Sequence, residues 1–206
     1  MRLIWDKMEN IKQNYNLSKK IIQSRLKDFK NLSEEEQFRE FMFCLLTPQS
    51  NAQKCWSAIE IISKLKDFKE EAIFDALKSR TRFHITKTKR LMGAKESWEK
   101  IKHSLDNNNI KELRNFIAET VNGYGLKEAS HFLRNIGKSN NQIAILDRHI
   151  LKNLKNNNII QEAKIKNKKA YFEIENAFLN FADKVKIPVD ELDMLWWSQE
   201  NGEIFK

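Results

Sequence analysis

Val121-Asn122-Gly123-Tyr124-Gly125-Leu126-Lys127-Glu128-Ala129 is the stretch on which the fold turns. The chain has only five glycines, and two of them stand here with one residue between them, so the backbone at this point needs conformations other residues avoid. Upstream, Leu113, Phe116, Ile117 and Val121 trace one helical face. Downstream, Ala129, Phe132, Leu133 and Ile136 trace another, until Gly137 ends it. The pattern predicts a helix, a tight Gly-x-Gly hairpin and a second helix, with Tyr124 and Leu126 pinning the hairpin to the core. The N–H groups in the first turn of the second helix then point outward, a site suited to a backbone phosphate. A Gly-x-Gly between helices also occurs in an ordinary αα-corner, so the motif alone leaves both meanings open.

Outward from the hairpin, helical periodicity continues nearly everywhere. Ser33 and Glu36 form a capping box ahead of Phe38, Phe41, Met42, Leu45 and Leu46, a helix that Pro48 stops. Ser50 is expected to cap a following helix with Ala52, Cys55, Trp56, Ile59 and Ile62 inward. Leu91, Ala94, Trp98, Ile101 and Leu105 mark another helix, and Tyr171, Ile174, Phe178, Phe181 and Val185 a further one. The Asn runs at 107–109 and 156–158 and the basic run Lys164-Ile165-Lys166-Asn167-Lys168-Lys169 read as loops or helix ends.

Composition agrees with this pattern. Five glycines and two prolines in 206 residues are too few for the turns of a β-sandwich or a Rossmann-type fold, so the expected class is all-α, with about ten helices. Hydrophobic residues at 41% supply a core and charged residues at 32% a polar coat, which excludes global disorder. The longest apolar run, Phe41 to Leu46, is six residues, far short of a membrane span, and Met1-Arg2-Leu3-Ile4-Trp5-Asp6 lacks a signal-peptide core. No membrane association and a cytoplasmic location are expected. Cys44 and Cys55 have neither CxxC spacing nor paired histidines, so no metal site and no iron–sulfur cluster is expected. A net charge of +9 suits a partner made of phosphates, although a lysine- and asparagine-rich solvated surface would give the same balance.

A second element completes the chemistry. Ile143-Ala144-Ile145-Leu146 is a short apolar stretch that must be buried, and it delivers Asp147 to the start of a helix carrying Ile150, Leu151 and Leu154. Asp147 can act as that helix's N-cap, and the same placement would hold an ionised carboxylate at a site.

The Gly123-to-Ala129 motif, with Asp147 twenty residues beyond Lys127, resembles the helix-hairpin-helix of the endonuclease III superfamily of DNA glycosylases, whose pattern is G-h-G-x-K-x-A followed by an aspartate. Within that superfamily, residues 127–137, the segment Ile145-Leu146-Asp147-Arg148-His149-Ile150-Leu151 and the end Glu191-Leu192-Asp193, Trp197, Gly202 and Lys206 are similar to the type-2 8-oxoguanine DNA glycosylase/AP lyases. Chain length and the segment Leu45-Leu46-Thr47 agree with this. The four-cysteine cluster of endonuclease III itself is absent. The resemblance implies a two-lobed helix-hairpin-helix glycosylase fold over residues 1–206. One lobe would be 31–137, with the hairpin at 122–126, and the other 1–30 plus 138–206.

By resemblance, Lys127 is the nucleophile and Asp147 the catalytic carboxylate. An amine beside the DNA backbone, once partly desolvated, can attack C1′ of a damaged nucleotide, expel the base and form a Schiff base, from which β-elimination nicks the strand. Asp147 would stabilise the oxocarbenium-like charge at C1′. The target must be flipped out of the duplex, and the resemblance places Trp197 at the base pocket, with Asp193 able to hold the chain end or touch the base. Lys206, the last residue of the sequence, is a determinant of 8-oxoguanine choice in the type-2 enzymes. 8-Oxoguanine carries an N7–H where guanine has an acceptor, so discrimination needs an acceptor facing N7. Gly123 and Gly125 would meet the DNA backbone, and Gln49 would enter the gap left by the flipped base. The implied partner is double-stranded DNA containing 8-oxoguanine or abasic sites. The protein is expected to be a nucleoid-associated monomer with no cofactor. Two alternatives stay open: a glycosylase of the same fold for another lesion, and a non-enzymatic helix-hairpin-helix DNA-binding protein.

Overall fold

The computed structural model describes residues 2–206, with side chains from residue 6 onward. The described residues form α-helices, short 3-10 turns and loops, with no strand. They divide into two compact units, one of residues 32–136 and one of the segment up to Asn31 together with Gly137–Lys206.

The 32–136 unit holds seven helices: α2 (Glu34–Leu46), α3 (Ala52–Ile62), α4 (Glu70–Lys78), α5 (His84–Met92), α6 (Ala94–Ile101), α7 (Ile110–Thr120) and α8 (Leu126–Asn135). α2 is its axis and packs against α3, α5, α6 and α8. The capping box forms as the sequence requires: the Glu36 N–H donates to Ser33 Oγ at 3.3 Å and the Ser33 N–H to Glu36 Oε2 at 2.8 Å. Glu34, Glu35 and Glu36 add negative charge at the positive end of the helix dipole. From Phe41 to Leu46 every side chain of α2 is buried. Phe41 is the hub of an aromatic cluster, its ring centroid 5.3 Å from Tyr124, 5.7 Å from Phe132 and 5.7 Å from Trp98.

Three local expectations are corrected. Asn51, not Ser50, caps α3, its side chain accepting from the Lys54 N–H at 3.0 Å, because the Ser50 hydroxyl is already engaged elsewhere. The Leu91–Leu105 pattern is carried by α5, α6 and a 3-10 turn at Lys102–Ser104 rather than one helix, with Gly93 at the break. The face shared by these apolar residues survives because a one-residue break hardly changes which way they point. Phe116, assigned to the inner face of α7, is exposed, and Arg114 is buried in its stead.

The second unit holds α1 (Arg2–Asp28), α9 (Arg148–Asn156), α10 (Lys168–Val185) and α11 (Val189–Asn201), with α11 packed on α1, α9 and α10. Trp196 is its buried centre, its ring stacked 5.2 Å from Phe178 and 5.9 Å from Phe181. On α10 the buried stripe is Tyr171, Glu175, Phe178, Ala182 and Val185, so a glutamate occupies an inward position where the apolar pattern pointed to Ile174. Its function is to pair backbone. Glu175 Oε1 accepts the Ala144 N–H at 2.9 Å, and the Tyr171 hydroxyl donates to the Ala144 carbonyl at 2.8 Å. The segment Ile143–Leu146 is buried outside any helix, and these two side chains supply hydrogen bonds that regular secondary structure would otherwise provide.

Removing the Tyr171 hydroxyl leaves the buried Ala144 carbonyl without that donor. Tyr171→Phe is expected to lower unfolding free energy by about 1 kcal/mol, measured by urea titration at neutral pH.

Candidate active site

Two loci carry the residues of interest, one in each unit. In the 32–136 unit the hairpin joins α7 to α8. Tyr124 is buried, and its hydroxyl donates to the Phe41 carbonyl at 2.8 Å, which seats the hairpin on the middle of α2. Leu126, the second residue expected to pin it, is only half-buried. Gly123 has φ of +100°, a backbone conformation that calls for glycine, and the flexible end of the Arg90 side chain packs over it, with Cδ 2.5 Å from where a Cβ would stand. Gly125 is the N-cap of α8. It offers no side chain to the first-turn N–H groups, which have no acceptors within their own helix.

Lys127 stands in that first turn, its side chain about a quarter exposed, with Nζ 2.9 Å from Glu128 Oε1. The other oxygen of Glu128 accepts the Gly125 N–H at 3.1 Å. One carboxylate therefore holds the start of the helix and the neighbouring ammonium together, a role for Glu128 that the sequence pattern did not suggest.

Just beyond the C-terminal end of α2, Gln49 is exposed with φ of +55°. The turn that carries it is organised by Lys87, whose side chain is only 2% exposed. Lys87 Nζ donates to the Leu46 carbonyl at 2.6 Å, the Pro48 carbonyl at 2.9 Å and Ser50 Oγ at 2.7 Å. Three donors thus meet three acceptors, and two of those are carbonyls at and beyond the end of α2, the negative end of its dipole. Ser50 also accepts the Arg82 N–H at 2.9 Å, which ties the Gln49 turn to a second corner where Phe83 has φ of +56° and is 54% exposed. The Arg82 guanidinium lies over the Phe83 ring, 5.3 Å from its centroid. Lys87, Arg82 and Phe83 were not singled out in the sequence. Nothing there distinguishes an inward lysine on α5 from its outward neighbours, and the left-handed conformation of Phe83 has no sequence signature.

In the second unit Asp147 is the N-cap of α9, with Oδ1 accepting the N–H groups of His149 and Ile150, both at 2.8 Å. The Ala144 hydrogen bonds fix the segment that delivers it. On α11, Asp193 is buried and Trp196 fills the core, while Trp197 is half-buried with its ring centroid 6.5 Å from that of Phe205. Lys206 is 7% exposed, its Nζ 5.9 Å from the Phe29 ring centroid. His131 and His149, set aside as metal ligands, lie against Phe43 and near Glu200 respectively. No cluster of His, Cys, Asp and Glu with metal-binding geometry occurs among the described residues, and none of the described helices is long and apolar enough to cross a membrane.

The family model for 8-oxoguanine DNA glycosylase matches residues 22–187. A Fusobacterium nucleatum 8-oxoguanine DNA glycosylase/AP lyase is 40% identical over 88% of this chain and 89% of its own. The crystal structure of the Methanocaldococcus jannaschii 8-oxoguanine DNA glycosylase superposes with a TM-score of 0.85 at 34% identity, covering 98% of each chain. A structure of the glycosylase/lyase from that organism in complex with a 15mer DNA containing 8-oxoguanine superposes at 0.84, covering 100% of each chain.

Burial pushes the Lys87 ammonium down from 10.5 to about 8; Cys55 works against this shift, and the nearby cations Arg90, Lys127 and Arg82 add to it. Between about pH 8 and 10.5 the folded protein has released a proton that the unfolded chain still holds, so the stability contribution of Lys87 is lowest below pH 8 and rises through that window. The unfolding free energy of the wild type, taken relative to Lys87→Met, should therefore increase from pH 7 to pH 10, read by urea titration of both proteins.

Proposed function

As the chain belongs to the 8-oxoguanine DNA glycosylase family, we propose that it removes 8-oxoguanine from DNA and then cleaves the strand at the resulting abasic site, with Lys127 as nucleophile and Asp147 as catalytic carboxylate. The observation that carries this reading is the start of α8. A Gly-Tyr-Gly hairpin seated by Tyr124 presents helix N–H groups without intrahelical acceptors, and a lysine stands two residues past the second glycine. A DNA phosphate bound by those N–H groups brings the sugar beside the amine.

Once the Lys127 ammonium has released a proton, its Nζ lone pair attacks C1′, and the N-glycosidic bond breaks as the base departs with its electron pair. Loss of the amine proton and opening of the sugar at O4′ give an imine between Lys127 and C1′. The imine acidifies the C2′ protons, and removal of one expels the 3′ phosphate by β-elimination, leaving a nick 3′ to the lesion. Asp147 acts on the positive charge that builds at C1′. Its Oδ1 is fixed by two backbone N–H groups, so its position needs no rearrangement as that charge forms.

The base itself is read in the other locus. Trp197 offers the aromatic wall, since Trp196 is committed to the core. A main-chain oxygen at Lys206 supplies the acceptor for N7–H of 8-oxoguanine, which guanine cannot satisfy, and Asp193 supports this segment. Gln49, on its strained exposed turn, enters the duplex where the base has left, and Phe83 lies at the adjoining corner. Gly123 and Gly125 allow the DNA backbone to approach the hairpin. The enzyme acts as a nucleoid-associated monomer.

Sodium borohydride reduction in the presence of an 8-oxoguanine duplex should trap a covalent protein–DNA adduct, and Lys127→Gln should abolish both adduct and nick. An adduct of unchanged yield in that variant would place the nucleophile elsewhere. Asp147→Asn keeps a residue that caps a helix equally well. It should leave duplex affinity nearly intact while slowing single-turnover base release by about two to three orders of magnitude.

A further inference from the structure

Residues 203–206 follow α11 without regular structure, yet Lys206 is almost entirely buried. Arg25, in the last turn of α1, accounts for much of that order. Its Nε–H donates to the Phe205 carbonyl at 2.8 Å, the peptide oxygen immediately before Lys206. Its guanidinium lies 4.9 Å from the centroid of the Phe29 ring, the same ring that Lys206 Nζ approaches to 5.9 Å. Asp28 Oδ2, 3.7 Å from Arg25 Nη1, holds the guanidinium from another direction. The Phe205 side chain meanwhile stacks near Trp197. Arg25 thus grips the main chain of the residue whose ring touches the proposed pocket wall, and shares an aromatic platform with the residue proposed to read the base.

We infer that Arg25 is a positioning residue for base choice: by fixing the Phe205 carbonyl it sets where Lys206 presents its acceptor, and so determines how well 8-oxoguanine is told from guanine. This rests on the reading of Lys206 given above. Arg25 touches neither sugar nor phosphate in the scheme, so its effect falls on recognition of the base and spares the Schiff-base chemistry. A hydrogen bond from a charged donor to a part-buried carbonyl is stronger than a neutral one and directional, so it favours one placement of this short irregular segment.

The test compares two substrates of the intact chain: an 8-oxoguanine duplex, where the base must be read, and the same duplex with a preformed abasic site, where it need not be. Arg25→Met should lower single-turnover excision of 8-oxoguanine about tenfold while abasic-site cleavage stays within about twofold of wild type. In a chain lacking Lys206 the same substitution should cause no further loss, because its effect runs through that residue. Equal loss on both substrates, or a loss that adds to that of the Lys206 deletion, would overturn the inference. Should Arg25→Met fail to fold, Arg25→Lys decides: it keeps a cation beside Phe29 but loses the planar donor, and an unchanged ratio of the two activities would count against the proposal. If deleting Lys206 leaves 8-oxoguanine excision untouched, the reading of Lys206 has failed. If that deletion reduces excision and Arg25→Met does not, only the role of Arg25 has failed.

Discussion

The Tyr124 hydroxyl on the Phe41 carbonyl is the contact on which the chemistry of the 32–136 unit depends. A hairpin of two glycines has little apolar surface of its own, and without an aromatic between them it would have no fixed seat. Tyr124 supplies that seat by joining the Phe41, Trp98 and Phe132 cluster, and its hydroxyl finds a main-chain acceptor on the axis helix. Burial pushes its phenol well above the usual range, which favours the protonated, donating hydroxyl. With the hairpin fixed, the N–H groups of α8 and the Lys127 side chain are fixed with it.

Charge is concentrated around that seat. Burial pushes the Lys87 ammonium down, and Arg90, Lys127 and Arg82 lie close enough to Lys87 to add to this, an arrangement of like charges that suits a polyanion. Two of the four are committed to structure: Lys87 closes the carbonyl end of α2, and Arg90 fills the space that Gly123 leaves. Glu128 offsets part of the repulsion on Lys127 while accepting the N–H of Gly125 at the start of the same helix. Both exposed left-handed residues of this region, Gln49 and Phe83, hang from one hydroxyl, that of Ser50, through Lys87 on one side and the Arg82 N–H on the other. Such strain persists where surrounding bonds over-determine the backbone, as the Lys87 and Arg82 hydrogen bonds to Ser50 do here.

The second unit solves a different problem, which is to hold irregular segments rigid. Ile143–Leu146 is buried without a partner strand, and Glu175 and Tyr171 from one face of α10 pair its backbone. Residues 203–206 are held by Arg25 and Phe29 of the α1 end. In both cases long polar side chains from a helix serve where a sheet would use main chain, which is how an all-helical unit positions residues that lie outside its helices.

Much of this was legible in the sequence, and the reason is that the signals were local. Helix caps, apolar periodicity and the scarcity of glycine and proline are set within a few residues, so the all-α class, the Ser33–Glu36 box, the hairpin and the Asp147 cap could be read directly. The superfamily resemblance rests on the same short motif and its spacing to Asp147, and the narrower one on residues 127–137 and 145–151 and the end Glu191-Leu192-Asp193, Trp197, Gly202 and Lys206. What only the tertiary structure decided were the polar partners far apart in the chain: Lys87 on Leu46 and Pro48, Glu175 on Ala144, Arg25 on Phe205, and Ser50 drawn away from its helix by Arg82. A charged residue on a helix has the same local signature whether it faces water or a buried carbonyl. Only the packing of other elements removes water from one of them and makes its hydrogen bond obligatory.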